Sequence, residues 1–397
     1  YNNTGQSGGT PGADIDMDEA WDIATGGLTP MGDTIVAAVI DDGINIGHTD
    51  FGSNRWYNYA EIPNDGIDND NNGYVDDYLG WDSYNDNDSV EESGSHGTPV
   101  AGIVGAKGNN GNGVAGVNWD VKLMIIQGGG NEANALAAYG YAYSFRKRYN
   151  ETGGQEGAYV VATNASWGTD FGQAADAPLW CGFYDILGQE GVINCGATIN
   201  GNNNVDVEGD LPTTCPSDYL IAVTNMNHND VKVTGAGYGS THIDLGAFGD
   251  GTYAPSITNS YGGFGGTSGA TPHVTGVAAL MHSVNCPSFT ALMKADPAAA
   301  TLLIKQYILD GVDNNASLSG ISVTEGRLNA KNALQAIMDN CSPSNCYVPY
   351  YLLTSNITDT SVDLDYTVGP GTDLVHLQYR ILGTPTWTTI SNIGNAP

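Results

Sequence analysis

Positive charge is what this chain has least of. Twelve Lys and Arg stand against 44 Asp and Glu in 397 residues, a formal net charge of −32. A nucleic-acid binder needs a basic footprint and a protein held on anionic lipid needs a polybasic patch; the chain has cations for neither. No apolar run approaches the roughly 18 residues of a membrane-crossing helix. None of the six cysteines forms a C-x-x-C pair, which argues against a zinc knuckle or a thioredoxin-type site. Charged residues are also scarce, at 14% against 41% hydrophobic, while 22 Tyr and 7 Trp offer large packing surfaces. That composition argues against intrinsic disorder.

What is abundant is glycine and acid. Fifty-five glycines are about twice the usual share and imply many tight turns. An acidic surplus this large implies a solvated acidic surface, cation binding, or both. The cysteines allow fifteen pairings if all six are bridged, and disulfides of an oxidising compartment are the default reading. The chain opens without Met or an apolar leader. The expectation is a mature, soluble, secreted chain whose targeting segments have been removed.

Residues 1–13 read as an exposed arm. From Asp14 on, strand-like and helix-like segments alternate. Thr34–Ile40 (TIVAAVI) is short and apolar on both faces, as a buried parallel strand requires. Val121–Ile126, Tyr159–Ala162, Val192–Cys195 and Leu220–Thr224 are further strand candidates. Ala133–Arg148 and Leu179–Glu190 are helix-like between them, and Thr271–Ser283, Pro297–Leu309 and Asn329–Met338 are later helices. Alternation of this kind predicts an α/β fold, a doubly wound, mostly parallel sheet with helices on both faces, over residues 14–342. The composition shifts near Cys341. Residues 343–397 alternate as an antiparallel β segment, too short to close a sandwich of about 100 residues. They read as a truncated accessory module.

Three segments carry chemistry. Asp41 follows the buried run ending at Ile40, at the carboxyl end of a strand where reactive groups of an open sheet gather; an aspartate there also serves turns and N-caps. His96 stands between Gly94 and Gly97 before a run of small residues, accessible as a base, or simply a loop histidine. Ser268 lies in a Gly-rich turn at the start of a helix that tolerates Pro272. Its hydroxyl faces backbone N–H groups that favour a developing anion, although an ordinary N-cap serine would look the same.

Taken together, D-D-G after a strand, then G-x-H-G-T-x-V-A-G, then G-T-S-x-A-x-P-H-V resemble, in that order and spacing, the subtilisin-like serine endopeptidases. The resemblance spans most of residues 14–340. It implies that Ser268 is the nucleophile, that His96 takes its proton and that Asp41 stabilises the imidazolium. The order Asp, His, Ser separates it from other triad families. His273, inside the third motif, reads as structural. The segment ending at Asn200 resembles the one that supplies the family's oxyanion donor, with Ile199 where the family usually has Gly and Asn202, Asn203 and Asn204 as neighbouring alternatives. Gly269 stands where Met is common, which is expected to loosen that turn. Ser166, Trp167 and Gly168 resemble the edge segment beside the substrate pocket, where Trp167 is either a pocket wall or a core aromatic; Thr213 and Thr214 resemble the opposite wall. A peptide substrate is expected to add as an extended strand, and no acidic residue is placed at the pocket base. A monomer and a removed pro-segment are expected.

Eleven acids and no Lys or Arg fall between residues 61 and 92. Asp68-x-Asp70-x-Asn72-Gly73-x-x-Asp76-Asp77 places oxygen ligands at alternate positions before a Gly turn, like the first half of an EF-hand loop. Leu79 stands where the closing Glu would be. Calcium is preferred here over a merely solvated loop. By resemblance, Asp82, Asp86 and Asp88 form a calcium loop before the catalytic His, and Asp50 with Asn110 and the carbonyls of Asn112 and Val114 form a further site. The resemblance also suits a secreted enzyme with bridges Cys286–Cys341 and Cys181–Cys215 and a free, buried Cys195. The expected function is a secreted, calcium-stabilised serine endopeptidase with a partial fibronectin-III-like C-terminal module. Its rivals are an exopeptidase on the same fold and a calcium-dependent adhesive protein.

Overall fold

The structure, a computed structural model, describes residues 2–91 and 94–341. Beyond these it describes the backbone of four strands, 350–355, 363–367, 374–379 and 388–394. In chain order the strands of the main body are β1 Val36–Asp41, β2 Trp81–Asp82, β3 Lys122–Gln127, β4 Val160–Ala165, β5 Thr169–Asp170, β6 Ile193–Ala197 and β7 Asp210–Leu211. They continue as β8 Leu220–Asn227, β9 Val231–Lys232, β10 Leu245–Phe248, β11 Thr252–Ser256, β12 Ser260–Phe264, β13 Asp313–Asn314 and β14 Gly326–Arg327. The helices are α1 Met17–Ile23, α2 Gly97–Gly105, α3 Glu132–Glu151, α4 Pro178–Gln189, α5 Val205–Glu208, α6 Thr267–Met281, α7 Pro287–Ala295, α8 Pro297–Asp310 and α9 Ala330–Asp339.

One sheet organises the body, in the order β13-β14-β10-β8-β6-β4-β1-β3-β2, with β9 paired to β8. Its ladders are parallel apart from β13·β14 and β8·β9. Strand β1 alternates its side chains between two layers. Ala37 and Val39 pack with residues of α2 and α6, whereas Val36, Ala38 and Ile40 pack with α3 and α4. Because both faces are covered, every residue of β1 is buried, which is why TIVAAVI shows no polar alternation. The α/β expectation with a mostly parallel sheet therefore holds. Strand order reverses around β1, between β3 on one side and β4 on the other. The carboxyl end of β1 opens at that switch point, where doubly wound sheets bind ligands.

Disulfides join Cys181 to Cys215 and Cys286 to Cys341, with Cα separations of 5.0 and 5.6 Å, and Cys195 is free and buried in β6. The second bridge ties the start of α7 to the end of α9. Cys346 lies outside the described residues. So does most of 343–397; the four described strands there form two antiparallel pairs, 350–355 with 363–367 and 374–379 with 388–394.

Candidate active site

Asp41 is the last residue of β1 rather than the first after it, and only 6% exposed. Its Oδ1 accepts the Asp42 N–H at 2.9 Å and meets His96 Nδ1 at 2.8 Å, while Oδ2 is buried without a partner. His96 is the N-cap residue of α2 and keeps its side chain 37% exposed. Asp42 secures the same junction by accepting the Gly97 N–H at 2.7 Å. A buried carboxylate on Nδ1 favours the tautomer that carries its proton there, which leaves the ring's lone pair on Nε2.

Ser268 lies within the first turn of α6, which begins at Thr267, four residues before the start expected from sequence. Gly266 is the N-cap residue of α6, at φ 76°, a positive value that glycine adopts without strain. The helix contains Pro272, whose missing N–H leaves the carbonyl four residues back without its helical donor. That carbonyl is Ser268's, and the Ser166 hydroxyl donates to it at 3.0 Å; the Ser268 Oγ donates in turn to the Ser166 carbonyl, also at 3.0 Å. Ser166 is itself held by Asn164 Nδ2 at 3.0 Å, and Asn164 by Thr275 of α6 at 2.9 Å. The segment after β4 is thus stapled to the turn that carries Ser268. Gly269 fits closely at this turn. Its N–H reaches Gly266 O at 3.0 Å, and a side chain there would begin 3.0 Å from the Gly249 carbonyl.

Asn200 stands beside the same helix start. Its Oδ1 accepts both the N–H and the hydroxyl of Thr267, at 3.0 and 3.1 Å, which leaves its amide NH₂ as the exposed donor. Ile199, unexpected at its position, turns its side chain into a small buried cluster with Val205, Ala222 and Ile243. Asn203 and Asn204 are spent on the Glu208 carboxylate and on capping α5, so neither competes with Asn200. His273 lies buried against Gly269 O at 2.8 Å, and burial pushes its pKa down to about 4, as befits a neutral structural ring.

Ser166, Trp167, Gly168, Asn200, Thr267 and Ser268 line one pocket. Trp167 combines both roles open to it: it lines the pocket, donates to Ile40 O at 2.8 Å and stacks on Trp180. Thr214 lies elsewhere. It is buried behind the wall with its hydroxyl on the Asp210 carbonyl at 2.7 Å, and is absent from the lining. Asp210, which motif spacing did not single out, lines the pocket with Asp170.

The acidic block sorts itself into separate knots. Glu61, Asp68 and Asp70 each bring a carboxylate oxygen within 4.8 Å of the others. Glu61 Oε1 accepts the N–H groups of Asn69 and Asp70, while its Oε2 is buried without a partner. Asn72 and Asn58 bridge Asp70 to Asp77, whose pKa burial pushes up to about 6. Asp76 turns away to accept the N–H groups of Asp65 and Gly66. Asp82 is occupied by Tyr84 and Asn85, and it, Asp86 and Asp88 do not join the Glu61 cluster. Asp50 is buried and does meet the expected loop, but through donors: the Val114 N–H at 3.0 Å and Asn112 Nδ2 at 3.4 Å. Asn110 is exposed and accepts the Asn112 N–H. Glu61 was missed as a member of this cluster because it lies outside the alternating Asp-Asn-Gly pattern; folding brings it to Asp68 and Asp70.

The subtilase family profile matches residues 32–337, and the chain belongs to that family. It is 27% identical over 284 residues to subtilisin-like protease 1 of Plasmodium berghei, covering 68% of this chain and 45% of that one. It is 30% identical over 278 residues to thermitase of Thermoactinomyces vulgaris, covering 68% and 80%. A solved protease structure from Pseudoalteromonas arctica overlays with a TM-score of 0.57 at 22% identity, covering 81% of this chain and 94% of that one. The overlay establishes the shared fold. The chain spans about half or less of the length of the first curated relatives it matches.

Proposed function

We propose that this chain is a secreted serine endopeptidase in which Ser268, His96 and Asp41 act as nucleophile, base and orienting acid. The observation that carries the reading is the 2.8 Å contact between His96 Nδ1 and Asp41 Oδ1 at the mouth of the sheet, beside a helix start that presents Ser268 and Asn200 to one pocket. In the reaction the Ser268 hydroxyl leaves the Ser166 carbonyl, passes its proton to His96 Nε2 and adds to the substrate carbonyl. The tetrahedral anion forms beside two donors, the Asn200 NH₂ and the Ser268 N–H, the latter one of the helix-start amides without an intrahelical acceptor. His96 then protonates the departing amine, and water activated by the same imidazole releases the acyl group. The segment 166–168 after β4 offers backbone for an extended peptide to pair with. Two disulfides suit an oxidising compartment, and among the described residues no helix is long and apolar enough to cross a membrane.

Calcium completes the proposal. Three carboxylates around a buried, unpaired Glu61 oxygen have the hard-oxygen character that calcium requires, and Glu61, Asp68 and Asp70 would hold it. Its contribution would be stability rather than chemistry, since it would neutralise a knot of like charge. The experiment is labelling with a fluorophosphonate followed by peptide mapping. Modification of Ser268, abolished in Ser268→Ala together with peptidase activity, is the expected result; a Ser268→Ala chain that still cuts peptides rejects it.

A further inference from the structure

The pocket beside Ser268 carries two acids and no base. Its lining includes Asp170 and Asp210 but no Lys, Arg or His. Asp210 is the inner of the two, 1% exposed, and it faces the exposed Asp170 across the antiparallel β5·β7 pair. One of its oxygens is fully committed. Oδ2 accepts the Thr213 hydroxyl at 2.6 Å, the Thr198 hydroxyl at 2.8 Å and the Ile199 N–H at 3.0 Å. The other, Oδ1, takes part in no hydrogen bond among the described residues. All three donors are neutral, so they orient the carboxylate without cancelling its charge. Burial has raised its pKa to about 6, and the nearby Asp170 adds to that rise.

A carboxylate that only braced the Thr198–Ile199 turn would need one oxygen and no charge, and an amide would serve at lower desolvation cost. Here the second oxygen is kept unpaired at the inner wall of a pocket that opens on the nucleophile. The cavity is narrow, about 50 Å³. Resting on the peptidase reading above, we propose that Asp210 is a specificity-determining residue that selects Lys or Arg on the acyl side of the cleaved bond, with Asp170 adding a second negative charge toward the entrance. The cation would give Oδ1 the partner it lacks among the described residues, and an arginine fork or lysine ammonium forms charge-assisted bonds with such an acceptor.

The test compares cleavage of otherwise identical peptides carrying Arg, Lys, Gln, Leu or Phe before the scissile bond. The unaltered chain is expected to favour Arg and Lys over Leu by at least tenfold in kcat/KM. Asp210→Asn, which keeps the volume and can keep the Oδ2 contacts, is expected to collapse the Arg-to-Leu ratio at least tenfold, because truncating one side of a desolvated charge pair is costly. Benzamidine, an amidinium that needs no variant to fold, is expected to compete with the Arg peptide. Equal or better cleavage after Leu or Phe overturns the assignment while leaving the peptidase reading intact, and so does an absence of benzamidine competition or an unchanged ratio in a folded Asp210→Asn. If no peptide is cut and Ser268 takes no fluorophosphonate, the peptidase reading itself falls, and this proposal with it.

Discussion

Thr267→Val isolates how the Asn200 amide is aimed. Thr267 is 1% exposed and holds Asn200 Oδ1 twice, through its N–H at 3.0 Å and its hydroxyl at 3.1 Å. Valine matches its shape and keeps the backbone bond, so only the hydroxyl bond is lost. A net hydrogen bond of this kind is worth about 0.5–1.5 kcal/mol. If that energy is spent on holding the NH₂ toward the developing anion, turnover should fall roughly two- to tenfold, since about 1.4 kcal/mol is a factor of ten. Deleting the donor itself in Asn200→Ala should cost about 10²–10³. The defect should lie in kcat, with KM little changed, because an oxyanion donor acts mainly on the transition state. Steady-state kinetics on one peptide, normalised to fluorophosphonate-titrated sites, measures both. The decisive comparison is the double variant, which should be no slower than Asn200→Ala alone, because an aiming residue has nothing left to aim. A Thr267→Val loss that multiplies through in the double variant would refute this role.

Excess chelator should lower the melting temperature, and a calcium concentration of about a hundred times Kd should return roughly 2.7 kcal/mol by mass action; Glu61→Gln should blunt both responses in a calorimetric titration. Replacing both Cys286 and Cys341 by Ser opens a crosslink between residues 55 apart. The loop-entropy relation puts the cost at about 4 kcal/mol, readable as a shift in denaturant midpoint at constant slope. Asp210 provides a pH signature. Its folded pKa of about 6 exceeds the ordinary 3.8 because of burial. The folded state therefore holds the proton more tightly, and stability is lost as pH rises from about 4 through about 6, by up to about 3 kcal/mol. Asp210→Asn should gain on the parent chain across that window in urea melts, and an identical pH dependence for the two would contradict it. Gly266→Ala places a left-handed residue where its Cβ would lie 2.8 Å from Asn200 Oδ1; activity should fall with loss of the Asn200 position, checked against Asn200→Ala as for Thr267.

Much of the fold was legible because it is periodic or punctuated. TIVAAVI has to be a strand buried on both faces, and β1 is. The expected segments 121–126, 159–162, 192–195 and 220–224 fall on β3, β4, β6 and β8. Helix α6 was read four residues short because Pro272 looks like a first-turn residue; the fold instead carries Pro inside the helix by giving the orphaned Ser268 carbonyl to Ser166. Strands β10 to β12, with helices α1 and α7, were not read. Residues 245–264 are rich in Gly, Ser and Tyr and lack an apolar period, so pairing between strands rather than local pattern defines them.

Sequence by itself marked out the candidate residues that stand in contiguous motifs. The glycine-flanked His96, Ser268 before a helix and Asp41 closing an apolar run are local facts, and so is the acidic surplus with its crowding between residues 61 and 92. Tertiary structure alone decided which groups share a space. It set Asp41 against His96, turned Ile199 into a separate cluster and drew Glu61 to Asp68 and Asp70. It also moved Thr214 behind a wall while bringing Asp210 into the pocket of Ser268, 58 residues away in the chain. The physical reason is that a motif records backbone spacing, whereas burial, the loss of hydration and the pairing of one particular oxygen are properties of a packed neighbourhood. The scarcity of cations is legible in composition, whereas the Asp210 carboxylate in the pocket beside Ser268 is legible only in the fold.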